Sequence, residues 1–472
     1  MAYGFQQRRR VVLVLLMWLA VAGPPACAAE PSGIVAVVSD IHFDPFAPPG
    51  LAPRLIASEP KEWPTIFASA GRQGFAGRGE DTNQALLAST LAALSEHAAN
   101  ADLIVVAGDL LVHRFEEVAA QVLGTSPTSR EVRELAAKTA LYVADAVRSA
   151  LPGRPIVIAL GNNDSECGDY QLEPGGAFLG ALRETVRELA GTDRVAQDFD
   201  QSYAAGGFFA MDHPTLAGVS ILVVNDVLWS AIYRNACGTD RTETTEAMMG
   251  WLEQQLSGAR AAGRRVWLVH HIPVGIDPYA TLHASTESSC PARVIPFLKE
   301  PFASGFVRLL REYAATIQAG FSAHTHQDSY RRIMDAGVAV GVEKVTPSVS
   351  PIFGNNPGFH LFSYDGRTGD VTDFSTWYLS NLEQASGTAP GEWRKEYVFT
   401  QAYGERTYSA AAVARIAEAM LAGGVAGEPI RRTFRRLYPV GHGEISPEEL
   451  PAYACAIGNL APSAFSACYC RE

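Results

Sequence analysis

The sequence predicts an α/β chain whose functional loops sit at the carboxyl ends of its strands. Three observations carry that expectation. Short apolar, β-rich runs alternate with amphipathic helical stretches. Five polar motifs each follow one of those runs directly. Hydrophobic residues make up 47% of the chain, with 42 Gly and 28 Pro, which is too apolar for a disordered chain and too turn-rich for a long-helix protein.

The elements read in order as follows. Residues 1–29 have the layout of a secretory signal peptide: Arg8, Arg9 and Arg10, an apolar run from Val11 to Ala22, then Gly23-Pro24-Pro25 and the small residues around Cys27. An uncleaved anchor is the alternative, although the run is short for a bilayer. The paired arginines admit either the Sec or the twin-arginine route. Strands are predicted at Ile34 to Ser39, Leu103 to Ala107, Ile156 to Leu160, Ser220 to Val224, Val266 to Val269 and Thr316 to Phe321. Helices are predicted at Thr82 to Ala98, Arg130 to Ala150, Thr242 to Ala262 and Phe302 to Ala314. Pro48 to Gly79 reads as a long loop-like insertion containing Trp63, of the kind that is usually functional or mobile. After His326, consecutive strands without intervening helices (Tyr330 to Met334, Val338 to Val345, His360 to Tyr364, Val371 to Trp377) suggest a second, more antiparallel sheet. From about Gln384 the chain turns helical again, most clearly at Ala410 to Ala422. The domains expected are a signal peptide at 1–29, a catalytic domain at 30–383 and a helical, Cys-bearing C-terminal subdomain at 384–472.

Charge and cysteine content narrow the function. The net charge is -12, and loss of the leader's three Arg leaves 35 basic residues against 50 acidic. So acidic a surface argues against a nucleic-acid polymer as partner and against docking on anionic lipid. A small phosphorylated substrate stays open, because a metal reverses the local field. Apart from Cys27 there are six cysteines: Cys167, Cys237, Cys290, Cys455, Cys468 and Cys470. An even set in an exported chain points to disulfides, with Cys455 a partner for Cys468 or Cys470. The expected location is periplasmic or secreted, with no membrane span once the leader is removed. Nothing in the pattern specifies an oligomer.

The chemistry lies in Asp40-Ile41-His42, in Gly108-Asp109-Leu110-Leu111-Val112-His113, in Gly161-Asn162-Asn163-Asp164, in His270-His271-Ile272-Pro273 and in His324-Thr325-His326. Ligands in open α/β sheets sit beyond the carboxyl ends of strands, so the five can share one crevice. Residues two apart on a strand point the same way, which would aim Asp40 with His42, and His324 with His326, at one centre. Carboxylate, amide oxygen and imidazole together suit Zn, Mn or Fe. Six of the 11 His fall at these strand ends. Each motif alone has an ordinary reading: Asp109 as a helix cap, Asn162 as a turn residue, a lone His as a core hydrogen-bonder. The ordered set does not.

That order, D-x-H, G-D-x-x-x-H, G-N-x-D, H-x-P, H-x-H, resembles the calcineurin-like metallophosphoesterases. His271-Ile272-Pro273-Val274-Gly275, Pro347 to Pro351, Asn356 to Phe359 and Tyr364-Asp365 resemble the acid sphingomyelinase-like branch, over roughly Ile34 to Leu382. The resemblance implies a metallophosphoesterase-type αββα sandwich of two mixed sheets flanked by helices, with a small C-terminal helical subdomain. It implies two divalent cations, Zn with Mn or Fe as alternatives. Asp40, His42 and His326 would hold one; Asn162, His271 and His324 would hold the other; Asp109 would bridge them. His270 is set aside because His271 is the one in register with Ile272-Pro273. Such a pair lowers the pKa of a bridging water, holds the attacking hydroxide in line and neutralises phosphoryl oxygens. Catalytic motifs begin directly after the leader, so no saposin-like lipid-presenting domain is expected ahead of Asp40.

There is one departure from the family pattern. Many relatives place a proton-donating His where this chain has Asn163, and an amide can bind a phosphoryl oxygen but cannot deliver a proton. His113 is then the candidate general acid. Asp164 either orients His113 or a ligand His, or caps the next turn. The function expected is an exported phosphodiesterase acting on a small diester, a phospholipid head group or a nucleotide. A phosphomonoesterase of the same fold and an exported binding protein with a decayed site are the alternatives. A serine hydrolase is disfavoured by the lack of a G-x-S-x-G elbow.

Overall fold

Val35 to Val38 are each fully buried, as befits a β-branched and alanine run covered on both faces. In the computed structural model this run is the core of β1 (Ser32–Val38), near the middle of a six-stranded sheet. The structure describes residues 1–4, 32–48, 50–71, 73–234, 237, 242–285, 289–386, 389–422 and 424–470. Most of the expected leader, residues 1–29, lies outside them. No helix among the described residues is long and apolar enough to cross a membrane.

The remaining strands are β2 (Leu103–Val106), β3 (Ile156–Ile158), β4 (Phe209–Asp212), β5 (Val219–Val223), β6 (Arg265–Val269), β7 (Ile317–Ser322), β8 (Ser329–Asp335), β9 (Val338–Val345), β10 (Gly358–Asp365), β11 (Val371–Leu379) and β12 (Trp393–Val398). One sheet runs β12-β11-β10-β1-β2-β3 and the other β4-β5-β6-β7-β9-β8. Pairing is parallel through β1-β2-β3 and β5-β6-β7-β9, and antiparallel at the added edges. The strands after His326 therefore do not form a sheet of their own. β8 and β9 extend the second sheet, while β10 and β11 return to β1 with Ser32 opposite Asp365. β12, inside the segment expected to turn helical again from about Gln384, pairs with β11.

The two sheets face each other across an aromatic layer in which Phe321 meets Phe362 at 5.1 Å and Trp267 meets Tyr364 at 5.1 Å. One buried ionic knot ties them as well. Lys344 Nζ on β9 lies 2.5 Å from Asp328 Oδ1, and Asp328 Oδ2 is bonded by His360 of β10, Thr376 of β11 and Tyr397 of β12. Removing one partner of a buried pair like this costs about 3–5 kcal/mol.

Helices cover the outer faces. The helix Arg130–Ala150 starts on Ser129, whose side chain accepts from the Val132 N–H, and buries Val132, Leu135, Ala136, Thr139, Val143 and Val147 on one stripe. The insertion expected to be loop-like is instead folded onto this helix. Ala52–Ala57 and Trp63–Ala68 are helical, each with Pro in the first turn, and fully buried Trp63 packs against Tyr142 with ring centroids 5.2 Å apart. All six expected cysteines pair, as Cys167–Cys237, Cys290–Cys470 and Cys455–Cys468. The last two hold the helices Leu450–Gly458 and Pro462–Tyr469 together and to the Cys290 turn.

Candidate metal centre

All seven expected ligands come together where the strands end. Asp40 and His42 follow β1, Asp109 follows β2 and Asn162 follows β3. His271 follows β6, and His324 and His326 follow β7. The first four come from one sheet and the last three from the other. Strand parity does not aim them. Asp40, His42, Asp109, His324 and His326 all have left-handed backbones, with φ of 48°, 43°, 56°, 67° and 60°. Non-glycine residues adopt that region at a cost and concentrate in it at functional sites. Backbone bonds from Asp40 N to Gly108 O (3.0 Å), His42 N to Asp109 O (2.9 Å) and Ser350 N to Asp40 O (3.0 Å) hold them there.

Asp109 Oδ2 lies 3.4 Å from His42 Nε2 and 3.2 Å from His271 Nε2. On one side, His42 Nε2 is 3.1 Å from His326 Nε2, and Asp40 Oδ1 is 3.5 Å from the latter. On the other, Asn162 Oδ1 is 3.0 Å from His271 Nε2, and ligand atoms of Asp109, His271 and His324 fall within 4.8 Å of one another. His42 Nδ1 donates to Leu111 O (2.9 Å) and His271 Nδ1 to Ala107 O (2.7 Å), which turns both Nε2 atoms into the centre.

The donor set fits divalent cations. Asp40 Oδ1 is buried with no hydrogen-bond partner. Burial pushes the Asp40 carboxyl up to about 7, with the Asp109 charge adding to it. Burial and the neighbouring imidazoles push His42 down to about 4 and His324 down to about 3, so their lone pairs are free. Asp109 is held well below the usual carboxylate range: burial opposes this, and the charge and hydrogen bond of His271, with the Asn163 N–H, outweigh it. Buried carboxylates and imidazole lone pairs at these separations are the donors that could hold a divalent cation.

Three further expectations concern residues around the ligands. His113 stacks on His42 at 3.8 Å, and its Nδ1 meets both oxygens of Asp81, at 3.0 and 3.1 Å. Asp81 also accepts from Ser350 Oγ at 2.7 Å. Burial works against charge on His113, and the Asp81 bond and charge overcome it, so its pKa is raised. Asn163 donates to Asp109 twice, from its backbone N–H (2.7 Å) and from Nδ2 (3.0 Å). Asp164 does not orient His113. Its carboxylate accepts the N–H groups of Leu110 (2.7 Å), Leu111 (3.3 Å) and Gly161 (2.9 Å), locking the second and third motifs together. The orienting carboxylate is Asp81, which sequence reasoning missed, along with Asp169 and Tyr170, which touch Asn162 and His324. None of the three belongs to a motif. His270 points away, with Nδ1 2.9 Å from Asp226.

A cleft of about 720 Å³ opens beside His113, lined by Asp44, Glu80, Asp81, Val112 and Ile352 among others, within the size range of small-molecule sites. Exposed Phe353, next in sequence to Ile352, has its ring centroid 4.6 Å from that of His326 and 5.6 Å from that of His113.

Residues 34–328 match the calcineurin-like phosphoesterase family, and residues 336–422 match the acid sphingomyelin phosphodiesterase C-terminal region. The chain is 29% identical over 340 residues to a sphingomyelinase phosphodiesterase D of Dictyostelium discoideum, covering 70% of this chain and 68% of that protein. It is 27% identical over 410 residues to the human acid sphingomyelinase-like phosphodiesterase 3b, covering 83% and 80%. To the mouse cyclic GMP-AMP phosphodiesterase SMPDL3A it is 27% identical over 315 residues, covering 64% and 66%.

Proposed function

The chain belongs to the calcineurin-like phosphoesterase family, and from that premise we propose that it is an exported phosphodiesterase working with two divalent cations on a small diester. The observation that carries the reading is Asp109 Oδ2, one carboxylate oxygen facing imidazoles of two separate clusters. Asp40, His42 and His326 would hold one cation and Asn162, His271 and His324 the other, with Asp109 between them. Bound there, the pair would supply positive charge for the phosphoryl oxygens and an activated water nucleophile at neutral pH.

The chain's own residues do the rest. Leu111 O and Ala107 O fix two imidazole tautomers. Asn163 pins the bridging carboxylate from two directions. Asp164 keeps the loops that carry Asp109 and Asn162 in register. With Nδ1 committed to Asp81, His113 keeps Nε2 for the cleft, where it hands a proton to the departing alkoxide. The cleft beside His113 gives room for the leaving group. The six paired cysteines and the N-terminal leader pattern support export.

The test is metal analysis of the purified chain, with initial rates on bis- and mono-p-nitrophenyl phosphate and a panel of sphingomyelin, cyclic GMP-AMP and nucleotide diphosphates. Two cations per chain and a preference for diesters are expected. A preference for the monoester would replace the reading with a phosphomonoesterase. A chain without bound or bindable metal would leave a binding protein.

A further inference from the structure

Asn162 and His324 are expected ligands whose orientation no main-chain carbonyl sets. Asn162 can turn either its oxygen or its nitrogen inward, and His324 can offer either ring nitrogen. The loop that follows Asn162 settles both. Asp169 Oδ1 lies 2.6 Å from Asn162 Nδ2, and because a carboxylate only accepts, the amide NH₂ must face it. That leaves Asn162 Oδ1 on the His271 side. Tyr170 OH lies 3.2 Å from His324 Nε2, which leaves Nδ1 as the nitrogen for the centre.

The loop is closed on itself. Tyr170 N–H returns to Asn162 O at 2.8 Å, and Arg234 N–H binds Tyr170 O at 3.2 Å. Ser165 Oγ donates to Gln171 O at 2.6 Å. Tyr170 is held at φ 54°, a strained value for a tyrosine, one residue after Asp169. Cys167–Cys237 ties the loop to a segment 70 residues further on.

We propose that this loop is a clasp for the second cation: Asp169 and Tyr170 are positioning residues for Asn162 and His324, and the Cys167–Cys237 bond holds them in place. The inference rests on the two-cation reading above. It requires no contact with substrate. It makes affinity at one of the two sites depend on side chains that touch neither metal nor diester.

The test is calorimetric titration of Zn(II) into the metal-stripped full chain, with Co(II) absorption spectra as a second readout and melting of the metal-free protein as a control for folding. Asn162→Ala marks which isotherm belongs to the second site. Tyr170→Phe and Asp169→Ala should each weaken that site about 10–100-fold, the usual cost of losing a group that orients a ligand, and leave the first site unchanged. Asp169→Asn should restore it, since its carbonyl still accepts from Asn162. The double substitution Cys167→Ser with Cys237→Ser should weaken the same site about 10-fold or more. Two wild-type sites with variant affinities all within about twofold of wild type would overturn the clasp. So would an equal loss at both sites with a lowered melting point. A wild-type chain that takes up fewer than two cations overturns the two-cation centre itself, and the clasp with it.

Discussion

Replacing Gly161 with alanine adds one carbon at the tightest point of the centre. At its ideal position that Cβ falls 2.2 Å from Asp109 Oδ1, 2.4 Å from Asp109 N and 2.6 Å from Asp109 Cγ. Comfortable contacts begin near ~3.5 Å, so Asp109 must retreat by about 1 Å. It has little freedom to do so. Asn163 holds its Oδ1 and Oδ2 at 2.7 and 3.0 Å, and its carbonyl receives the His42 N–H at 2.9 Å. Any shift therefore moves His42 too. A misplacement of 1 Å at reacting groups costs on the order of 10²-fold in rate, and overpacking costs about 1–3 kcal/mol in stability. Gly161→Ala should lower kcat/KM on bis-p-nitrophenyl phosphate by about 10²-fold or more and reduce metal content, with a modest drop in melting temperature. Turnover within about threefold of wild type, with two cations retained, would refute the idea that Asp109 must sit where it does.

Three other outcomes follow from the same geometry. Asp109→Asn should abolish turnover in a chain that still folds, and chelation should do the same reversibly, with Zn or Mn restoring activity; chelator-resistant turnover in stripped protein would count against the centre. His113→Ala should cost little on nitrophenyl esters but about 10²–10⁴-fold on diesters with alcohol leaving groups, with Asp81→Asn in between; parallel losses on both substrate types would remove His113 as the proton donor. Burial and the nearby Asp328 charge push Glu396 up to about 8 from 4.5, so between those values folding takes up a proton and stability falls as pH rises. Glu396→Gln should then stabilise the chain by about 3 kcal/mol at pH 7 and by nothing below pH 4.5, measured by urea unfolding; an equal gain at both pH values would rule out protonation as the cause.

The residues that meet at the candidate centre were legible in the sequence because each follows a buried β-branched or apolar run that needs no tertiary information to recognise, while the roles expected of them came from the family resemblance. The reason for their convergence was not legible: Asp40 and His42 reach the same centre through left-handed loops rather than strand alternation. Sheet membership was equally hidden. The pairing of Ser32 with Asp365 spans most of the domain, and local pattern carries no record of register at that distance. Asp81 escaped notice because it belongs to no motif and is held near His113 by non-local bonds, Thr82 N–H to His42 O (3.1 Å) and Asp44 N–H to Thr82 O (2.8 Å), that local pattern does not record. Asp169 and Tyr170 owe their position to a strained loop tied by a disulfide, and neither leaves a periodic signature.

The division of the ligands between the two sheets has a consequence for how the chain becomes active. Asp40, His42, Asp109 and Asn162 are made first, and His271, His324 and His326 arrive more than 100 residues later. Neither half carries a full set for either cation. β1 itself lies between β2 and β10, so its sheet cannot close until residues 358–365 have been synthesised. Under the two-cation reading, a nascent or clipped chain ending before His326 is inert. Hydrolysis then begins only when the whole sandwich has been made and closed.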